Sequence, residues 1–363
     1  MDNTTLWIFY IVFAFGILAF SLVINGLLLK FAKTLGIRNH TDSTIIRWGS
    51  TAKPAMGGIG FYIVFLISYI GLSIDTAEFQ FFHNMQSVGI LLATTVGFFV
   101  GLFDDAYNTR PWLKFAGQTL CALILIASGV FISFFNYDYL NYLLTFLWVV
   151  GLMNSINMLD NMDAISSVSS LGILASMLAI LLLNGDMTNP FVLIIFAIIA
   201  ALIGFLFFNW SPSKLYMGDT GSQFLGVLLA ALGIILLWNQ QVEGVEMSRF
   251  TRVLIIATAF ALPLIDTTTV FIKRITKGKS PFVGGRDHTT HHLSYLGLSE
   301  RQVALVFLGI AIIAGVLTTR IFFFAGTWTP AYWILFSLFP AIVFLFLFIV
   351  AVTTSAPRVK KES

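Results

Sequence analysis

Eleven stretches of this chain are long and apolar enough to cross a lipid bilayer, and no other feature constrains the fold as strongly. A helix needs about 20 apolar residues to span the hydrocarbon core. The stretches are 6–29, 57–74, 88–103, 113–134, 140–157, 166–183, 190–208, 221–238, 252–272, 303–323 and 331–352. Backbone polar groups find no partners in lipid, so a spanning segment is a helix or part of a closed barrel. These runs lack strand-like alternation, which excludes a barrel. The expected fold is all-α and integral to the membrane, with about eleven transmembrane helices in one polytopic domain, 1–363. Composition agrees: 58% of residues are apolar and 10% charged, against about a quarter charged in soluble domains.

The first run is preceded by Asp2 and no basic residue, and no small-residue cleavage pattern follows it. It reads as a retained helix and not a signal peptide. The single cysteine, Cys121, lies inside an apolar run. It rules out an intrachain disulfide framework and a multi-cysteine metal site.

Charge sets the expected orientation. If the loops after odd-numbered spans lie on one side with the C-terminus, that side holds 17 Lys and Arg residues. The other side holds three, Arg249, Arg252 and Arg320, together with Asp75, Glu78, Asp138, Asp186, Glu243 and Glu246. The positive-inside rule then puts the N-terminus outside and the C-terminus in the cytoplasm of an inner (plasma) membrane protein. Four polar strings fall on the cytoplasmic face, at span ends, while the spans carry little charge apart from Asp266. A transporter or flippase, the alternative reading, is expected to keep its polar residues near the midplane.

The first string is Phe103-Asp104-Asp105, followed by Arg110 and Lys114. Adjacent carboxylates at a membrane interface repel and resist desolvation, so a cation, proton or basic group must compensate them. They suit a base for an acidic headgroup or a Mg²⁺ neighbour, or they are a solvated cap with basic flanks. The second string, Asn154 to Asp163, repeats polar oxygens at Asn154, Asn157, Asp160 and Asp163. Helix capping needs only one or two such residues, whereas hard cations and nucleobase edges take several.

The third string is Gly218-Asp219-Thr220-Gly221-Ser222-Gln223. Thr220 and Gln223 have capping-box spacing, which predicts a helix start with free N–H groups that bind phosphate. Gly218 and Gly221 would let a ligand approach closely. Asp219 beside a phosphate calls for a bridging cation such as Mg²⁺. The fourth string holds Arg286, His288, His291 and His292. His288 and His292 have the spacing to share a helix face, and a zinc site is one reading; Arg286 and the histidines gripping phosphate oxygens is the other. His40 and His83 stand alone; His83 reads as structural. Asp266 reads as structural, partnered by Lys273 or Arg274. The turn Lys53-Pro54-Ala-Met-Gly57-Gly58 leads into the second span.

In this order the strings resemble the polyprenyl-phosphate N-acetylhexosamine-1-phosphate transferases, the membrane glycosyltransferase family that includes WecA, TagO and MraY. The resemblance covers about residues 54–292. It implies a cytoplasm-facing cleft, a UDP-sugar donor, a polyprenyl (undecaprenyl) phosphate acceptor and Mg²⁺, with Mn²⁺ as a substitute. It implies Asn157 and Asp219 as metal ligands, and Asp104 and Asp105 as the pair handling the lipid phosphate. Lys114 would meet phosphate. Arg286, His288, His291 and His292 would contact the donor, with Asn154, Asp160, Asp163, Gly218 and Thr220 lining the substrate site. Lipid and a second copy of the chain complete the expected partners; nucleic acid is not among them.

The sequence departs from the family in two places. Asp160-Asn161-Met-Asp163-Ala164 stands where an Asp-Gly-x-Asp-Gly pattern is common, and Ala164 tolerates a left-handed backbone poorly, so this turn is expected to differ. The His-Thr-Thr-His-His spacing places the chain nearer the WecA/TagO branch than the peptidoglycan branch. The expected reaction is direct phosphoryl transfer, which requires all four strings to meet.

Overall fold

The computed structural model describes residues 3–35, 53–74, 84–240, 247–280, 285–325 and 329–355. His40, His83, Asp75, Glu78, Glu243 and Glu246 lie outside the described residues. Within the described residues the chain is helical and has no strand; one isolated parallel bridge joins Ala55 to Tyr216. The helices are α1 (Asn3–Leu35), α2 (Gly57–Ile74), α3 (Met85–Tyr107), α4 (Pro111–Ala127), α5 (Asp138–Leu159), α6 (Ile165–Leu183) and α7 (Pro190–Asn209). They continue with α8 (Gly218–Gly233), extended by a π-turn over Ile234–Trp238, then α9 (Arg249–Ala259), α10 (Ala261–Thr276), the short α11 (Thr289–Tyr295), α12 (Glu300–Phe324) and α13 (Pro330–Thr353).

Each expected span overlaps a helix, though 113–134 and 252–272 depart from a single straight one. Among the described residues eight helices are long and apolar enough to cross a membrane, and α9 with α10 makes a ninth if the bent pair is one span. α2 and α4 are apolar but shorter. This is an all-α, multi-pass membrane protein.

Two expected spans are corrected. The run 252–272 is not one straight helix: α9 and α10 meet at 83° around Phe260. Pro263, near the start of α10, has no N–H to offer back to α9, so the ladder breaks there. The run 113–134 is helical only to Ala127, and Gly129 then turns the chain with φ of 83°. The backbone beyond it is paired by side chains: Thr145 Oγ1 accepts from Ile132 N at 2.8 Å, Asn239 Oδ1 from Ser133 N at 2.9 Å, and Asn141 Oδ1 from Phe134 N at 3.0 Å.

Local chemistry places the helix starts. Asn84 caps α3, Asn189 precedes Pro190 at the start of α7, Ser248 caps α9, and Ser299 with Gln302 forms a reciprocal capping box on α12. Burial then ranks the helices. The best apolar window of α8 is 94% buried, against 17% in α1 and 22% in α13, so α8 is the axis and those two face lipid. α2, α3, α5 and α6 pack around α8. The C-termini of α3 and α5 and the N-termini of α4 and α8 meet at one end of this bundle, where three of the four polar strings converge.

Candidate active site

Asp104 and Asp105 end α3, where the helix's own dipole disfavours negative charge. Each is therefore compensated from another helix. Lys114, in the first turn of α4, places Nζ 2.9 Å from Asp104 Oδ2. The same Nζ lies 2.7 Å from Asp219 Oδ2 and 3.1 Å from Asn157 Oδ1. Asn157 Nδ2 in turn donates to Asp219 Oδ1 at 2.7 Å and to Ser222 Oγ at 2.9 Å. Asp104 is held further by Thr109, whose backbone N–H and hydroxyl donate to Oδ1 at 2.9 and 2.6 Å. Four predicted residues from three of the strings thus form one bonded cluster.

Asp105 has a different task. Its carboxylate accepts from Asp219 N at 3.0 Å, Thr220 N at 2.8 Å and Thr220 Oγ1 at 2.6 Å. The N-terminus of α8 is capped by Asp105, so the expected Thr220–Gln223 capping box is corrected, and two N–H groups expected to face phosphate are already taken. Gly218 opens α8 with φ of 76°, a backbone that only glycine adopts without strain. The turn before α2 is strapped onto this start: Tyr216 N donates to Pro54 O at 2.8 Å, and Gly58 N to Met217 O at 3.0 Å. A side chain on Gly58 would meet Gly221 N at 2.1 Å. A side chain on Gly221 would in turn meet Gly58 Cα at 3.0 Å, so both glycines serve the close approach of α2 to α8.

The Asn154–Asp163 string divides. Asn154 faces inward and pairs with Gln118, at 2.9 Å from its Nδ2 to Gln118 Oε1. Asp160 stands in the field of Asp219, Asp105 and Asp163; burial first, then those charges, push it up to about 8. Asp163 turns away from the cluster. It accepts from Ser213 N at 2.8 Å and Ser213 Oγ at 2.7 Å, with Lys53 Nζ at 3.8 Å, and so anchors the segment leading to α8. Ala164 takes the left-handed backbone that it was expected to tolerate poorly. It holds φ at 68°, while its buried N–H donates to Asn209 Oδ1 at 3.0 Å. Asn161 is not left-handed; it accepts from Thr290 Oγ1 at 2.5 Å and so ties this turn to the histidine string.

The histidines take separate partners. His288 is the extended N-cap of α11, with φ of −70° and ψ of 156°, so it does not share a helix face with His292. Its Nδ1 lies 2.8 Å from Asp266 Oδ2, and Asp266 Oδ1 accepts from Thr289 N at 2.8 Å and Thr289 Oγ1 at 2.6 Å. The expected partners of Asp266 are corrected accordingly: Lys273 Nζ bonds His292 Nε2, and Arg274 grips Asp287 through two hydrogen bonds of 2.8 and 2.6 Å. Burial opposes the Asp287 charge, but Arg274 outweighs it and holds this carboxyl below its usual range. His292 Nδ1 lies 2.6 Å from Thr354 Oγ1. Burial, then the charge of Lys273, brings His292 down to about 4, and burial with His288 nearby brings buried His291 down to about 3. Arg286 is exposed, and its carbonyl accepts from Tyr295 Oη at 3.0 Å.

Sequence reasoning missed Gln118, Gln223, Ser222 and Thr109. The available signal was a lone amide, Gln118 or Gln223, in an otherwise apolar span, one turn from a charged site residue. Among the described residues no three His, Cys, Asp or Glu side chains group to hold a metal. The oxygens of Asp104, Asn157 and Asp219 nonetheless converge on one positive centre, the Lys114 ammonium. They are hard donors of the type Mg²⁺ takes when substrate phosphates complete its shell. The residues fit such an ion, with Lys114 competing for the same oxygens.

The model of glycosyl transferase family 4 matches residues 87–237, which include Asp104, Lys114, Asn157 and Asp219. A Streptococcus pneumoniae (strain Taiwan19F-14) phospho-N-acetylmuramoyl-pentapeptide-transferase is 30% identical over 341 residues, covering 85% of this chain and 97% of its own. A Bacillus subtilis (strain 168) protein named "Probable undecaprenyl-phosphate N-acetylglucosaminyl 1-phosphate transferase" is 29% identical over 298 residues, 78% of this chain and 77% of its own. A decaprenyl-phosphate N-acetylglucosaminephosphotransferase of Mycobacterium leprae (strain TN) is 26% identical over 300 residues, 75% of this chain and 74% of its own.

Proposed function

The chain belongs to glycosyl transferase family 4, and from that membership we propose that it transfers an N-acetylhexosamine-1-phosphate from a UDP-sugar to a polyprenyl phosphate. The products are a polyprenyl-diphospho-sugar and UMP, the first step of a cell-envelope glycan. One observation carries the reading: Asp104, Lys114, Asn157 and Asp219, from three separate strings, are joined at one end of the bundle within hydrogen-bonding distance. Nothing in this arrangement or in the matched relatives favours transport.

The chemistry is a displacement at phosphorus. An oxygen of the lipid phosphate attacks the sugar-linked phosphorus of the donor, a P–O bond to that oxygen forms, and the bond to the UMP oxygen breaks. Such transfers depend on positioning and charge neutralisation. Asp104 orients the acceptor phosphate or receives its proton, and Lys114 beside it offers positive charge to the phosphates. Asn157 and Asp219 would hold Mg²⁺, or Mn²⁺, which when bound neutralises the diphosphate. Asp105 keeps the start of α8, and hence Asp219, in place. His288, His291, His292 and Arg286 would contact the donor, with the reactive end in the cytoplasm of an inner-membrane protein.

The test is direct. Purified protein is incubated with UDP-HexNAc donors, undecaprenyl phosphate and Mg²⁺, and lipid-linked sugar and UMP are measured. Stoichiometric formation of both supports the reading. Failure to form either with every UDP-HexNAc donor overturns it.

A further inference from the structure

One helical turn inside the Lys114–Asn157–Asp219 cluster lie three amide side chains that bond to one another. Gln118 follows Lys114 by four residues on α4, Asn154 precedes Asn157 by three on α5, and Gln223 follows Asp219 by four on α8. Those spacings stack side chains on one helix face. Gln118 and Asn154 exchange hydrogen bonds of 2.9 and 3.2 Å, and Gln118 Nε2 also donates to Gln223 Oε1 at 3.0 Å. Gln118 and Gln223 are buried, at 1% and 0% exposure.

The packing gives these amides their task. α3 and α5 each pack extensively against both α4 and α8, whereas any direct backbone approach of α4 to α8 is slight. The distance between α4 and α8 is spanned by long side chains: Lys114 to Asp219, and Gln118 to Gln223. Apolar packing is non-directional, whereas an amide hydrogen bond in a low-dielectric interior has a defined length and direction. A displacement of about 1 Å at a reacting centre costs on the order of 10² in rate.

Resting on the transferase reading, we infer that Gln118, with Asn154 and Gln223, is a positioning layer. It fixes the α4–α8 separation at which Lys114 meets Asp219 and Asn157, and so governs turnover more than donor binding. None of the three amides needs to touch substrate for this.

Two readouts test it. In Gln118→Leu, kcat is expected to fall about 10- to 100-fold, with donor KM within about twofold of wild type. In a Cys121→Ser background, spin labels at exposed Trp112 and Lys214 report the separation of α4 from the start of α8; Gln118→Leu broadens a distribution that is narrow in the parent. If Gln118→Leu fails to fold, Gln223→Met removes the α8 end alone and is expected to give the same pattern with a smaller loss. An unchanged kcat, a loss confined to KM, or an unchanged distance distribution overturns the inference. Should the parent protein make no lipid-linked product, the transferase reading falls, while the distance measurement still decides whether the amides set the spacing.

Discussion

The Asp105 carboxylate accepts both the backbone N–H and the hydroxyl of Thr220, at 2.8 and 2.6 Å, so the N-terminus of α8 is closed by a residue of α3. Its neighbour Asp104 bonds Lys114 and Thr109. Two adjacent carboxylates thus have separable functions. Asp105→Ala is expected to cost about 1–2 kcal/mol of stability, the usual value of a helix cap, read as a lower melting temperature. Asp104→Asn is expected to melt like wild type while losing about 10²–10³ in kcat. Equal thermal losses in the two variants would contradict this division.

Lys114 carries the positive charge shared by Asp104 and Asp219. Lys114→Met leaves those carboxylates facing each other without it. The expected result is a loss of about 10²–10³ in kcat, together with a melting temperature that rises on adding Mg²⁺ more than that of wild type does. Thermal unfolding with and without Mg²⁺ checks this second effect even if turnover is abolished.

Ala164 sits at φ of 68° in a buried turn. Ala164→Gly relieves about 1–2 kcal/mol of left-handed strain but gives up about 0.8 kcal/mol of buried methyl and some chain entropy. Stability is therefore expected to move by less than about 1 kcal/mol. Ala164→Val adds a β-branched side chain where that backbone excludes it and is expected to cost about 2 kcal/mol or more, of the size seen for overpacked cores. Paired melting curves of the two variants distinguish the cases.

His291 and His292 are held down to about 3 and about 4. In the unfolded chain both titrate near 6.5. Between about pH 6.5 and 4 the unfolded state binds protons that the folded state refuses, so stability falls as pH falls through that window. Asp160, pushed up to about 8, acts oppositely: its proton stays on in the fold while the unfolded chain releases it, so stability falls as pH rises from about 4 to 8. Two histidines outweigh one carboxyl below about pH 6.5, and melting temperature is expected to drop on acidification there. His291→Asn should flatten that slope, and Asp160→Asn should remove the decline between about pH 6.5 and 8.

The positions of the membrane helices were legible in the sequence because hydropathy along a chain is a local property, and lipid demands about 20 apolar residues wherever a helix crosses. The polar strings were legible for the same reason: residues such as Asn157 and Asp219 stand out at the ends of apolar runs. The break at Phe260 was not read from the sequence, because Pro263 alone gives no angle within an otherwise continuous apolar run.

Only tertiary structure decided which partner each polar side chain meets. Asp104 and Asp105 are indistinguishable by neighbours in sequence, yet the direction in which each leaves α3 sends one to Lys114 and the other to the backbone of α8. Asp163 looked like part of the site and instead anchors Ser213; Gln118, which drew no notice in the sequence, bridges Asn154 and Gln223. Hydropathy determines which segments enter the membrane. The crossing of the helices there determines contacts between residues as far apart as Lys114 and Asp219, and no local pattern encodes that crossing.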